Sequence, residues 1–263
     1  MAINKLHKIV GLVLFTSFFV SCTKEENNNH LNTPTNSVLV KSCSIYKGNT
    51  LSTLKLSEKF DFQYNNQNLL TTKTQYYYEN STLVGYHDFD YSYNGNTVVE
   101  NDYITYMGTK TYAQKSIFTL NSLKHIISDS TIDMTNPSSY RIETSLYNSK
   151  NQLIYAYIGD TTRGSVFDWS GNNLTSEYLI NGLMGRFLIM SHTYGTKKNT
   201  INTGDFWNDG EKSENLPEKS VEPNYEYNYT YKIESDGFVS EKITAVSSPG
   251  GAPYRYEKIV YTR

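Results

Sequence analysis

One recurring pattern limits what this chain can fold into: a segment of alternating residues ends in an aromatic residue, a polar turn follows, and an aliphatic residue opens the next segment. The turns are rich in Asn, Gly, Ser and Lys and separate these pairs: Tyr64 and Leu69, Tyr93 and Val98, Tyr147 and Leu153, Trp169 and Leu174, Tyr194 and Ile201, and, more loosely, Tyr231 and Phe238. Turns of this chemistry between alternating segments are a strong hairpin signal. The pattern therefore predicts a meander of antiparallel hairpins.

Within the segments the residues alternate with a period of two. Rings share one face in three clear rows: Phe60, Phe62 and Tyr64; His87, Phe89, Tyr91 and Tyr93; and Tyr225, Tyr227, Tyr229 and Tyr231. Polar residues take the other face, which indicates one buried and one water-facing side. The pattern gives roughly 12 to 15 segments, and so long a sheet tends to curl or close. We predict an all-β fold, a large curled antiparallel meander, open or partly closed into a barrel-like sheet, over residues 38–263.

The first residues have the order of a signal peptide. Lys5 and Lys8 precede the uncharged run Ile9–Val20, and Ser21-Cys22 follows. The run has 12 residues, whereas a bilayer-spanning helix needs about 20. Phe19-Val20-Ser21-Cys22 resembles a lipobox, in which the Cys thiol is acylated and becomes the new N-terminus. We expect a lipoprotein signal peptide over residues 1–21, lipidation of Cys22 as the contact with the membrane, and a disordered polar tether over residues 22–37; the alternative is an ordinary signal peptide.

The residues that follow Cys22 resemble a second sorting signal. Thr23-Lys24-Glu25-Glu26 is similar to the surface-export tag of Bacteroidota lipoproteins. That resemblance implies an outer-membrane lipoprotein exposed on the cell surface, with a periplasm-facing protein as the alternative.

The tyrosine-turn-aliphatic hairpins, from about Phe60 to Arg263, resemble an uncharacterised Bacteroidota lipoprotein family, a domain of unknown function with a porin-like fold. They also loosely resemble the tyrosine-aspartate repeats of Rhs-type proteins.

The resemblance implies a curled antiparallel sheet and brings no catalytic residues. The polar face of many segments carries Asp, Glu, Asn and Ser, unlike the lipid face of a membrane barrel, so we expect a sheet that faces water. Loss of residues 1–21 removes Lys5 and Lys8, which leaves 24 − 2 = 22 basic against 26 acidic residues, a formal charge of −4. Without a basic stripe, nucleic acid is not expected as a partner. Cys43 then has no cysteine partner and is expected to be a small buried residue.

The candidate ligand-binding residues are Tyr225, Tyr227, Tyr229 and Tyr231, with Trp207 from a long charged loop near residues 205–223. Exposed rings would stack on sugars; the alternative is that the tyrosines fill the core with their hydroxyls at its rim. Asp88 and Asp90 lie about 7 Å apart on one strand face, a spacing that glycosidases use, although a solvated strand face is favoured.

No metal or cofactor site is expected. The acidic residues Asp205, Asp209 and Glu211 fail the EF-hand template, because Trp207 and Leu216 occupy its third and twelfth positions; an irregular calcium site is the alternative. The histidines that follow the predicted signal peptide (His30, His87, His125 and His192) lack metal-ligand spacing, and no nucleophile motif occurs.

Three functions follow, in order of preference. The first is a non-catalytic envelope or cell-surface protein that acts as a scaffold or binds a glycan or an envelope protein. The second is a glycan-binding module that uses exposed tyrosines. The third is a hydrolase with an unrecognised carboxylate site.

Overall fold

The chain folds into a closed antiparallel barrel of sixteen strands, in which each strand pairs with its sequence neighbours and the first pairs with the last. The structure, a computed structural model, describes residues 39–159, 161–182, 185–201 and 213–263. The strands are β1 (Ser42–Gly48), β2 (Lys55–Tyr64), β3 (Leu70–Glu79), β4 (Thr82–Asn94), β5 (Thr97–Tyr106), β6 (Thr109–Leu120), β7 (Ile126–Asp133), β8 (Tyr140–Tyr147), β9 (Leu153–Ile158), β10 (Arg163–Ser170), β11 (Asn173–Asn181), β12 (Gly185–Lys198), β13 (Asn215–Val221), β14 (Glu226–Ile233), β15 (Val239–Ser247) and β16 (Arg255–Thr262). The all-β meander predicted from the hairpin pattern is confirmed, and its closure is complete.

The barrel is closed by β1 and β16, which pair without a break from Ser42 opposite Thr262 to Gly48 opposite Tyr256. Closure leaves no exposed strand edge. Every strand of the described residues, including both closing strands, lies within 42–262, and the ladders found there are formed by those strands. The predicted signal peptide, Cys22 and the tether lie outside the described residues.

The two ends of the barrel differ. We call the base the end that holds the start of β1, the end of β16 and the connections that follow even-numbered strands; the rim holds the connections that follow odd-numbered strands. All the Asn- and Gly-rich turns of the sequence pattern lie at the base. Each repeat therefore spans two strands, as hairpin spacing predicts.

Three base turns are copies of one another. In each, an Asn side-chain oxygen accepts two backbone amides, two and four residues further on; these residues are Asn65, Asn121 and Asn148. The residue three positions after each Asn has a positive φ: 61° at Asn68, 68° at Lys124 and 60° at Asn151. Asn suits both tasks, because its short side chain bonds nearby backbone and it tolerates the left-handed region.

The aromatic residue before a base turn has a structural role. Its ring packs inside the barrel, while its polar tip donates to a carbonyl near the start of the preceding odd-numbered strand. These hydrogen bonds, which we call clasps, are Tyr64 to Val40 (2.7 Å), Tyr93 to Leu70 (2.6 Å), Tyr147 to Ile126 (2.6 Å), Trp169 to Leu153 (2.7 Å) and Tyr231 to Pro217 (2.8 Å). Each clasp ties neighbouring strands together at the base, which explains why Tyr and Trp stand there.

The ring-bearing rows of the sequence face inward. Phe62, Tyr91 and Tyr227 are buried, and ladder pairing puts Cys43 beside Phe60 on the same inner face, where the cysteine is buried. One prediction is wrong in part: Asn215–Val221, which the sequence placed in a long loop, forms β13. Pro217 led to this wrong prediction, because proline is rare inside strands. Here it lies where the ladder register with β12 shifts, so it removes no regular ladder hydrogen bond.

Candidate functional site

The predicted tyrosine row runs down the inner face of β14 from the rim. Tyr225 is 42% exposed beside the rim, whereas Tyr227 is 4% exposed and donates its hydroxyl to Glu222 over 3.0 Å. Tyr229 and Tyr231 lie deeper and are half-buried. The row is therefore not a continuous exposed platform, and only its ends offer ring surface to a ligand.

A break in the barrel wall lies beside the lower tyrosines. β13 and β14 pair only from Lys219 to Val221, and β12 and β13 lose register between Tyr194 and Lys198. A cavity of about 210 Å³ occupies this break, and its lining comes from three strands: Lys197, Leu216, Glu218, Tyr229, Thr230 and Tyr231. Thr230 is exposed and alternates along β14 with the half-buried Tyr229 and Tyr231, so residues from both faces of the strand line the cavity. We call it the window.

Two opposite charges line the window and do not neutralise each other. Among the described residues, neither Lys197 nor Glu218 makes a hydrogen bond or an ion pair, although the two lie on adjacent strands. Gly195 makes room for the carboxylate: a Cβ built there would stand 2.1 Å from Glu218 Oε1. The window thus combines an ammonium group, a carboxylate and two phenol rings.

Behind the window the inner wall carries a chain of hydrogen bonds. Glu177 Oε1 lies 3.0 Å from His192 Nε2, and His192 Nδ1 lies 2.8 Å from Ser220 Oγ. Burial raises the pKa of Tyr229 to about 12, and the neighbouring Ser220 hydroxyl opposes that shift. Lys242 stands over the Tyr229 ring at 4.6 Å. Burial lowers the pKa of Lys242, and the nearby Glu257 carboxylate opposes that shift.

Glu177, His192 and Ser220 contain the residue types of a hydrolase triad, so their geometry matters. The serine bonds Nδ1 and the acid bonds Nε2, the reverse of the usual assignment. Ser220 is 1% exposed, and its hydroxyl is hydrogen-bonded to His192. A nucleophile must reach its substrate, and this serine has no such access. The arrangement is suited to fixing side chains rather than to acyl transfer.

Further ionisable groups on the inner face are paired or buried. Glu58 accepts from Lys47 (2.8 Å) and Gln75 (3.0 Å), and His87 Nδ1 lies 3.1 Å from Asp102. Burial raises the pKa of Glu100.

Burial also perturbs Asp129 and Glu257 on this wall. It raises the pKa of Asp129 to about 6, although a hydrogen bond from Thr131 opposes the shift, and it raises the pKa of Glu257. Because of desolvation these carboxyls release their protons at a higher pH than ordinary Asp and Glu do. No carboxylate pair of the described inner wall opens onto the window.

The other sequence candidates fall elsewhere. Asp88 is on the outer face, where Thr74 and Lys110 bond its carboxylate, and Asp90 shares that face. Trp207, Cys22 and the acidic residues at 205–211 lie outside the described residues. Within the described ranges, no three His, Cys, Asp or Glu side chains converge as metal ligands. Likewise, no helix in the described part of the chain has the length and apolarity of a membrane span.

Sequence reasoning missed the polar partners of the tyrosines: Lys197, Glu218, His192, Glu177 and Lys242. Alternation places His192 and Tyr194 on one face, but Glu177, Glu218 and Lys242 belong to β11, β13 and β15, and ladder registers decide which residues meet. The bulge on β13 shifts those registers, and no local signal in the sequence specifies it.

No protein-family model matches the chain, and neither does any curated protein sequence. Among solved structures, a porin-like protein from Bacteroides uniformis ATCC 8492 matches with a TM-score of 0.63 and 16% identity, covering 85% of this chain and 96% of that chain. A porin-like protein from Bacteroides vulgatus ATCC 8482 matches with a TM-score of 0.24 and 8% identity, covering 85% of this chain and 98% of that chain. The first likeness confirms a porin-like barrel fold. It carries over no residue roles.

Proposed function

We propose that this chain is a lipid-anchored, non-catalytic envelope protein whose barrel binds a small polar ligand at the window. One observation carries the binding role: Lys197 and Glu218, of opposite charge and without protein partners among the described residues, line one cavity with Tyr229 and Tyr231. The lipid on Cys22 remains the sequence-based part of the proposal. Display on the cell surface follows from the Lys-Glu-Glu tag after that cysteine.

The outer wall supports a barrel that faces water. Ion pairs stand on its outer face around the circumference: Lys59–Asp61, Lys110–Asp88, Arg186–Asp168, Lys219–Glu226 and Lys258–Glu241. A lipid-facing barrel wall needs an apolar band on every strand, and a charge at its centre costs about 2–4 kcal/mol. A part of the wall is more apolar: from β7 to β12 it exposes Ile127, Ile142, Leu146, Ile154 and Leu188, whereas the exposed apolar side chains of the other described strands lie at their rim ends.

The chemistry of the window favours a compact ligand. Its volume of about 210 Å³ is below the roughly 300 Å³ at which drug-sized pockets begin. Phenol rings offer flat apolar surface, and the flanking charges accept and donate hydrogen bonds. A single sugar unit at the end of a glycan has this combination of an apolar ring face and polar edges. The proposal therefore joins the scaffold function to the glycan alternative, with Tyr229 and Tyr231 as the contacting rings.

The test is a glycan array probed with the fragment 39–263, which contains every ladder of the barrel. Each glycan that binds is then titrated calorimetrically against Lys197→Ala, Glu218→Ala and Gly195→Ala. The glycine variant keeps the carboxylate but pushes it out of its place. We expect each change to weaken binding about tenfold, the value of one charge-assisted hydrogen bond.

Lys150→Ala is the matched control, because Lys150 is an exposed lysine in another base turn. Equal loss in this control, or no binding on the array, contradicts the glycan assignment. The hydrolase alternative has its own readout, a fluorophosphonate probe that reacts with activated serines. Labelling of the folded barrel at Ser220 would show that the Glu177–His192–Ser220 chain is catalytic and would overturn the non-catalytic proposal.

A further inference from the structure

The rim carries exposed apolar side chains in an unbroken circuit. Every connection at this end has at least one, in or beside the turn, in the order Leu51, Leu83 with Val84, Tyr106 with Met107, Tyr140, Ile158, Leu179 with Phe187, Tyr225 and Tyr254. Met107 is 84% exposed and Tyr140 66%. By the same measure the base has Leu123, Ile127, Leu146 and Ile154, which all belong to the connections β6–β7 and β8–β9. Among the described residues, exposed apolar side chains therefore surround the whole rim but occupy one side of the base.

We call these exposed apolar side chains the apolar tips. Next to most of them, on the strand that follows the turn, lies a basic residue. Six of the eight even-numbered strands begin, at their first or second residue, with an exposed Lys or Arg: Lys55, Lys110, Arg141, Arg163, Arg186 and Arg255. Three of these cations, Lys110, Arg141 and Arg186, form ion pairs with acidic residues of the wall, Asp88, Glu143 and Asp168. The described acidic residues at the level of the basic ring are Glu79, Asp133, Glu222 and Glu226. Apolar tips with a cationic ring behind them are the arrangement of proteins that lie in a membrane interface.

We propose that the rim is a docking surface for a lipid bilayer with anionic headgroups, with the apolar tips dipping among the lipids and the basic ring at headgroup level. The geometry selects this partner. Tips around the whole mouth of a barrel lie on one closed ring, which fits a flat surface, whereas a protein partner would need one side of the ring only. The ion-paired outer wall halts deeper insertion. This contact does not depend on the window or on the predicted lipid at Cys22.

The experiment is vesicle flotation with the fragment 39–263, which lacks Cys22. Vesicles of phosphatidylcholine alone are compared with vesicles of phosphatidylcholine and phosphatidylglycerol in a 3:1 ratio. The rim variant Leu51→Ser, Met107→Ser and Tyr140→Ser removes an exposed side chain from three connections. The control Leu123→Ser, Ile127→Ser and Leu146→Ser removes three exposed apolar side chains at the base.

We expect the unmodified barrel to float with the anionic vesicles, the control to behave likewise, and the rim variant to lose at least about tenfold in partition coefficient. Arg163→Gln with Arg255→Gln should reduce partitioning to anionic vesicles by about fivefold per charge, with little effect on neutral ones. Three results overturn the proposal. The first is no flotation of the unmodified barrel, and the second is an equal loss of partitioning in the control. The third is a concentration-dependent dimer that is absent in the rim variant, while neither protein binds vesicles. The last result would assign the rim to a second copy of this chain.

Discussion

The clasp hydrogen bonds allow a stringent test of how the base is held together. Tyr93→Phe removes one hydroxyl and leaves the ring, so the packing inside the barrel is unchanged. The hydroxyl donates over 2.6 Å to the carbonyl of Leu70, a residue that is fully buried. The change therefore removes this hydrogen bond and leaves the Leu70 carbonyl without the Tyr93 donor.

The magnitude follows from that geometry. A typical hydrogen bond contributes about 0.5–1.5 kcal/mol, and leaving its buried partner unsatisfied costs about 1–3 kcal/mol. Tyr93 is only half-buried, so the lower part of the combined range applies, and we expect a loss of about 1.5 kcal/mol. For a chain of this size that corresponds to roughly 3–6 °C in the midpoint of thermal unfolding. Tyr147→Phe, on a separate base turn, should add its own loss almost in full.

Urea unfolding of the fragment 39–263, followed by tyrosine fluorescence and far-UV circular dichroism, measures the free energy of unfolding. Tyr46→Phe is the control: Tyr46 lies on the outer face, beside Lys258, and no hydrogen bond of its hydroxyl is found among the described residues. We expect the control to change stability by less than about 0.5 kcal/mol. A Tyr93→Phe variant as stable as the control would refute the clasp as a stabilising device.

Three further predictions concern other parts of the chain. Cys22→Ala should leave the precursor uncleaved and without lipid by mass spectrometry, and normal processing of this variant would remove the lipoprotein assignment. Lys124→Gly should raise the free energy of unfolding by about 0.5–1 kcal/mol, because Lys124 has a φ of 68° that glycine adopts without a Cβ penalty; the same change at Lys150 should not. Asp129 has a pKa of about 6 against 3.8 for an ordinary Asp, so the folded barrel holds a proton that the unfolded chain releases, and stability should fall as pH rises from about 4 to 6. Asp129→Asn should flatten that slope in pH-dependent unfolding, and an unchanged slope would show that Asp129 does not cause it.

Much of the architecture could be read from local chemistry. An Asn or Gly turn fixes where the chain reverses, and alternation fixes which residues face the same way, because a strand has a period of two. The row from His87 to Tyr93 thus named the inner face of β4 before any strand pairing was known. β13 was not predicted because Pro217 is typical of a loop. Proline is compatible with this strand only because Pro217 lies at a shift of the ladder register.

The sequence by itself determined the class of fold, the hairpin unit and the inward direction of the rings, since these depend on residues within one or two strands. Only the tertiary structure decided that sixteen strands close, that Glu177, His192 and Ser220 form one hydrogen-bonded chain, and that the apolar tips gather at one end. Those properties depend on the registers between strands and on the closure of β1 onto β16. Register is set by bulges and by the sum of all pairings around the barrel, and no single segment contains that information.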